Sequence, residues 1–127
     1  MQIEIELTRE PIVRPQPWQI PFGPETGALV EFCGIVRETE GAGKISALEY
    51  EAYAAMAEKV MREKIVLLQK RHPCQAVRVV HRLGPVGRGE NAIYVGIQAK
   101  HRREAFLLLQ EFMDELKKDV PIWKEPA

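Results

Sequence analysis

Only two cysteines occur in 127 residues, and the formal net charge is zero. Cys33 and Cys74 stand far apart and match neither a metal-ligand nor a redox spacing, so no disulfide or dithiol framework organises this chain. Their scarcity fits a reducing, cytoplasmic setting. Lysine plus arginine and aspartate plus glutamate balance at 18 each, which argues against broad attraction to nucleic acid or an anionic membrane. Any anion site must be a local gathering of cations. No apolar run approaches the ~20 residues of a membrane span. The opening Met1-Gln2-Ile3-Glu4-Ile5-Glu6 is acidic and alternating, unlike a targeting leader. Internal repeats and low-complexity tracts are absent.

What is present reads as one soluble α+β domain over 1–127, long enough for a real core. Residues 2–7 alternate, with Ile3, Ile5 and Leu7 on one face of a half-buried strand. Five of the nine prolines fall in 8–27, predicting an ordered arm anchored by Trp18. The mostly apolar Ala28–Val36 predicts a well-buried strand with Cys33 as a small core residue. Arg37 follows at its end, and Glu38–Lys44, with Gly41 and Gly43, predicts a flexible loop. Ile45–Tyr53 reads as a strand whose Leu48, Tyr50 and Ala52 alternate with Glu49 and Glu51. Those glutamates are acid–base candidates by spacing, but a solvated or subunit-facing edge explains them more simply.

Ala54–Arg71 predicts a helix with Ala57, Val60, Met61, Ile65 and Leu68 on one stripe and a Glu58–Arg62 pair on its surface. His72-Pro73 ends it. His72 and Cys74 lack the further ligands a metal site needs. Ala76–Leu83 predicts a strand with Val77, Val79, His81 and Leu83 on one face, His81 being read as a hydrogen-bonded sheet residue. Gly84–Glu90 is turn chemistry, without the Gly-x-Gly-x-x-Gly order of a nucleotide loop. Ala92–Ala99 returns as a strand. A second helix, from about Lys100 to Lys118, carries Ala105, Leu108, Leu109, Phe112 and Leu116 on one stripe. Phe106, Leu107 and Met113 add apolar surface that suits a partner chain or a second buried side.

Two features of this helix bear on chemistry. Its start, Lys100-His101-Arg102-Arg103, gathers positive charge at the positive end of the dipole, where a chain usually places acids or a cap. A bound phosphate would repay that arrangement; pairing with distant acids is the ordinary alternative. Its end, Lys117-Lys118-Asp119-Val120-Pro121-Ile122-Trp123-Lys124, stops the helix before the proline. Lys117 is then left in the last turn and Lys124 on an extended tail that Trp123 can pin. A last-turn lysine needs no further role, since it complements the dipole for roughly 0.3–1 kcal/mol. The sixteen residues from His101 to Lys117 span about 24 Å of helix. A site using both ends therefore needs a large substrate or a second copy of the chain.

Taken in order, several segments resemble the large, catalytic subunit of molybdopterin synthase. They are Gly34-Ile35-Val36-Arg37, Leu48-Glu49-Tyr50-Glu51-Ala52-Tyr53 with Met56-Ala57-Glu58, and His81-Arg82-Leu83-Gly84. Ala99-Lys100-His101-Arg102 with Ala105-Phe106, and Met113–Lys117 with Pro121-Ile122-Trp123-Lys124, complete the set. The resemblance covers roughly 27–125. It implies an α/β hammerhead fold with a mostly antiparallel sheet and two main amphipathic helices, and a homodimer. Each copy would bind a small ubiquitin-like subunit, giving a heterotetramer. That partner's C-terminal thiocarboxylate would supply two sulfurs to cyclic pyranopterin monophosphate, opening the cyclic phosphate as molybdopterin forms. No metal or other cofactor of the chain's own is implied.

By position, Lys117 and Lys124 match the family's active-site lysines within an active-site tail over 117–127. Arg37, His101 and Arg102 match its substrate-binding residues, and Ile35 and Val36 line the same pocket. Glu125 and Pro126 follow at substrate-binding positions, Glu125 standing where the family usually has a basic residue. A lysine partly withdrawn from water gives up its proton more readily and can act as acid or base near neutrality. Lys117 is expected in that role, Lys124 as a stabiliser of developing negative charge, and Arg37 and Arg102 as the phosphate grip. Family members usually continue well past the second lysine, whereas this sequence ends at Glu125-Pro126-Ala127. That leaves open an alternative: a relative that binds the small subunit or a phosphate ligand without turnover.

Overall fold

The computed structural model describes residues 1–13, 18, 20–40, 43–44 and 47–126. Pro15 and Pro17 of the arm, Gly41 of the expected loop, Ile45 at the expected strand start, and Ala127 lie outside the described residues.

Strands β1 (Gln2–Thr8), β2 (Ala28–Ile35), β6 (Ala76–Arg82) and β8 (Asn91–Ala99) form one sheet in the order β1-β6-β8-β2. Only the β1–β6 pair is parallel. All nine residues of β8 are buried, because its central place leaves neither face open. Two helices, α1 (Ala54–Arg71) and α2 (Arg102–Asp119), cover the face carrying Ile3, Val77, Val79, Val95 and Ile97. Their apolar stripes supply Ala57, Met61, Ile65, Leu68, Ala105, Leu108 and Phe112, all buried. Each large side chain so buried contributes about 1.5–3 kcal/mol. The predicted Glu58–Arg62 pair is present at 3.5 Å.

Trp18 and Ile20 of the proline-rich arm sit on the opposite face. Trp18 Nε1 donates to the Tyr94 hydroxyl at 3.1 Å, and Gln98 Nε2 donates to the carbonyl of the buried Ile20. Gly96 lies beneath them, where a Cβ would fall 2.4 Å from Trp18 Cζ2 and 2.5 Å from the Tyr94 oxygen.

Three expectations change. The β2 strand is an edge rather than a well-buried strand: it alternates, leaving Leu29 and Ile35 about two-fifths exposed. A continuous apolar run does not reveal which strand occupies the edge. The segment expected to be a flexible loop contains a two-stranded ribbon, β3 (Thr39–Glu40) with β4 (Gly43–Lys44). The Gly84–Gly87 segment, read as turn, is a short strand, β7, followed by the turn at 88–90. It pairs with β5 (Ala47–Ala52), and β5 pairs on its other side with β9 (Ile122–Pro126), making a second sheet in the order β7-β5-β9. The tail read as merely extended is therefore a strand. No helix among the described residues is long and apolar enough to cross a membrane.

Candidate active site

The end of α2 sets the site. Val120, extended at φ −79° and ψ 128°, stops the helix before Pro121, as the pre-proline restriction requires. The Ile122 amide then bonds back to the Val120 carbonyl at 2.8 Å, and the Tyr53 amide donates to the Pro121 carbonyl at 3.2 Å. This tight turn sends the chain into β9, where Lys124 pairs with Tyr50 and Trp123 with Glu51. Trp123 also meets the Tyr53 ring at 5.2 Å. Lys64 of α1 fastens the same corner, reaching Glu115 at 3.3 Å and Asp119 at 2.7 Å.

A second element comes from the edge strand. Its register with β8 shifts between Gly34 and Ile35, a bulge of the kind that re-aims a strand end. Val36 is then held by two backbone bonds, its amide to the Glu90 carbonyl and its carbonyl to the Gly89 amide. Val36, Leu48, Val86 and Ala92 form a small core with Tyr50 packed on it. This core is the floor on which the site is built.

Between these elements lies a cavity of about 550 Å³. Its wall includes Ile35, Val36 and Arg37 from the edge-strand end, and Lys117 and Lys124 from the helix end and tail. Cys33, Tyr50, His81 and Ile93 complete much of the remainder. A smaller cavity of about 260 Å³ adjoins it, sharing Tyr50, His81, Lys117 and Lys124 and adding Leu116, Ile122 and Trp123. Arg37 and two lysines 80 or more positions further along the chain thus furnish three cations around one apolar-floored pocket. That combination suits an anionic, partly apolar ligand.

His101 and Arg102 are not on this wall. They stand exposed at the other end of α2, whose 18 residues extend about 27 Å. Nor are Glu125 and Pro126 among the lining residues; Glu125 lies opposite Glu49, and Pro126 opposite Leu48, in the β5–β9 pair. The charge at the start of α2 is milder than the sequence suggests. His101 is the N-cap in extended geometry, Lys100 precedes the helix and pairs with Glu25 at 3.0 Å, and Glu104 sits in the first turn.

The other candidates have structural partners. Glu51 pairs with Arg9 at 3.3 Å. His72 bonds to Glu111, and Cys74 is buried, its amide held by Gln69. Burial pushes the Cys74 thiol up to about 11. Among the described residues no group of three histidine, cysteine or acidic side chains is placed to hold a metal ion.

Sequence reasoning did not assign His81 and Tyr50 to the site. The available signal was a titratable ring continuing the apolar face of Val77 and Val79, and a tyrosine sharing its face with Leu48. Their rings meet edge-on at 5.2 Å.

A profile of the MoaE protein family matches residues 7–119. The chain belongs to the MoaE family. It is 34% identical over 122 residues to the molybdopterin synthase catalytic subunit of Staphylococcus carnosus, covering 96% of this chain and 81% of that one. The crystal structure of molybdopterin synthase from Staphylococcus aureus superposes with a TM-score of 0.87 at 33% identity, over 96% of this chain and 89% of that chain. A chain in the complex of subunits 1 and 2 of molybdopterin-converting factor from Helicobacter pylori shares the fold, with a TM-score of 0.70 at 19% identity over 98% and 83%. The MoaE fold is the α+β arrangement expected from the resemblance. The chain is an enzyme of the molybdopterin synthase catalytic-subunit type, acting in molybdenum cofactor biosynthesis.

Proposed function

We propose that this MoaE-family domain, spanning 1–127 with the arm over 8–27 and the active-site tail over 117–127, converts cyclic pyranopterin monophosphate to molybdopterin. The sulfur donor is the C-terminal thiocarboxylate of a small ubiquitin-like partner. The observation that carries this reading is the meeting of Lys117, Lys124 and Arg37 on one cavity wall. Arg37 grips the phosphate through its fork. Lys117 exchanges protons beside the incoming thiocarboxylate. Lys124 stabilises negative charge as it develops. Ile35 and Val36 shape the pterin side of the pocket, while Glu125 and Pro126, off its wall, pair the tail with β5.

The assembly we propose is a homodimer carrying one small subunit on each copy. A second copy would bring its His101 and Arg102 to the first copy's Lys117, adding groups that one chain holds about 24 Å away. We place the reaction in the cytoplasm, where both cysteines stay reduced. The test is turnover by the purified chain with thiocarboxylated small subunit and the cyclic precursor. Lys117→Ala should abolish product while leaving the complex intact. Full activity in that variant, or a stable complex of the unaltered proteins that makes no product, contradicts the reading.

A further inference from the structure

His81 is the one imidazole on the cavity wall, and the fold fixes which of its nitrogens carries the proton. Its Nδ1 lies 2.9 Å from the carbonyl oxygen of Arg82. A carbonyl only accepts, so Nδ1 is the donor and a neutral ring must leave Nε2 as a bare acceptor. The ring is buried, only 5% exposed, between the β1 and β8 neighbours Leu7 and Ile93. Burial lowers its pKa from the usual histidine value, against a smaller opposing effect of the Arg82 bond. Burial thus favours the neutral ring. Nε2 has no hydrogen-bond partner among the described residues. His81 lines the two adjoining cavities that Lys117 and Lys124 also line.

We propose that His81 is a positioning residue for the two-lysine site, presenting Nε2 as a fixed acceptor for a lysine ammonium on the cavity wall. The inference rests on the sulfur-transfer reading and deepens it. Lys117 comes from α2, Lys124 from β9, Arg37 from the end of β2, and Tyr50 from β5; apart from the Cys33 thiol they are the titratable or charged groups on that wall. All the charged ones are cationic. A neutral acceptor among them orients an ammonium without neutralising it, which a carboxylate in the same place would do. Protonating His81 removes that acceptor and adds a fourth positive charge. Turnover should therefore fall on acidification, through a histidine transition lying below the ordinary value.

Two substitutions separate positioning from simple packing. His81→Asn keeps a donor near the place of Nδ1, and so the bond to Arg82, but offers nothing at Nε2. His81→Gln places a polar group near Nε2 and gives up the Arg82 bond. Positioning predicts that His81→Asn loses at least about tenfold in kcat, with little change in KM or Tm, and that its acid-side transition disappears. Positioning also predicts that His81→Gln recovers part of the rate. A His81→Asn enzyme with unaltered kcat and pH profile overturns the proposal.

Nitrogen-15 NMR of the imidazole in the unaltered full chain gives an independent reading. The expected spectrum at pH 7 has Nδ1 protonated and Nε2 bare, with the Nε2 resonance moving in Lys117→Met. A protonated Nε2 at that pH overturns the proposal. If the unaltered protein makes no molybdopterin at all, sulfur transfer itself fails, and the NMR result still decides the role of His81.

Discussion

Tyr50 stands directly opposite Lys124 in the β5–β9 pair, and on its other side faces Gly84 of β7. The register of this three-stranded sheet therefore decides which face Lys124 occupies. Strand side chains alternate, so a slip of one residue moves a side chain to the opposite face. Inserting one alanine between Trp123 and Lys124 should turn the lysine away from Lys117 and cost as much turnover as Lys124→Ala. Turnover of the two variants, measured side by side, checks this. Near-normal activity in the insertion variant would show that the tail reaches the cavity without help from the sheet.

The arm depends on the absence of a side chain at Gly96. A methyl there meets Trp18 and the Tyr94 hydroxyl well inside contact distance. Gly96→Ala should destabilise the fold by about 1–3 kcal/mol, the usual cost of overpacking. In a Trp18→Ala background the same substitution should cost clearly less, because one of the two obstructions is gone. Denaturant unfolding of the four proteins closes the cycle. An equal cost in both backgrounds would place the strain elsewhere.

The two thiols should differ in their dependence on folding. Cys74 is buried and its thiol is pushed up to about 11, so almost no thiolate forms near pH 8. In a Cys33→Ser variant, iodoacetamide at about pH 8 should leave the folded protein unmodified and label it fully once unfolded. Mass spectrometry reads the outcome directly. Rapid labelling of the folded variant would contradict the packing described for Cys74.

The Lys64–Asp119 bridge gives the helix pair a pH dependence of known sign. Lys64 holds the Asp119 carboxyl below its usual range, and Asp119 and then Glu115 raise the Lys64 ammonium. A lowered carboxyl contributes stability above its unfolded pKa and loses it as pH falls through the folded value. The raised lysine contributes below its unfolded pKa and loses it as pH rises through the folded value. The bridge is thus intact across neutrality and fails first in acid, though its solvent exposure keeps the effect small. Lys64→Met should lower Tm modestly at pH 7, and the difference from the unaltered protein should shrink in acid. A difference that grows on acidification would reverse the assignment.

Much of this was legible because helices announce themselves by period. The 3.6-residue stripe and His72-Pro73 place α1 over Ala54–Arg71 without adjustment. The α2 helix begins two residues later than its basic start suggests, because Lys100 turns to Glu25 and His101 is extended. Strand neighbours are another matter. Nothing in Ala28–Ile35 says that it is an edge, and nothing in Gly84-Pro85-Val86-Gly87 says that it pairs with β5, since both depend on distant partners. The site divides in the same way. The resemblance singled out Lys117, Lys124 and Arg37, but His81 looked like an ordinary sheet residue until the cavity placed it beside them.

The central claim is that cations from two copies of the chain complete one site, and subunit mixing tests it most directly. Lys117→Ala and His101→Ala would each be inactive alone, since each spoils every site in its own dimer. Unfolded together in equal amounts and refolded, half of the dimers carry one of each. Each such dimer regenerates one intact site of two, or about a quarter of normal turnover. That recovery is the predicted result. A mixture as inactive as its components would mean that Lys117 and His101 do not meet across a dimer, and the shared-site account would be wrong.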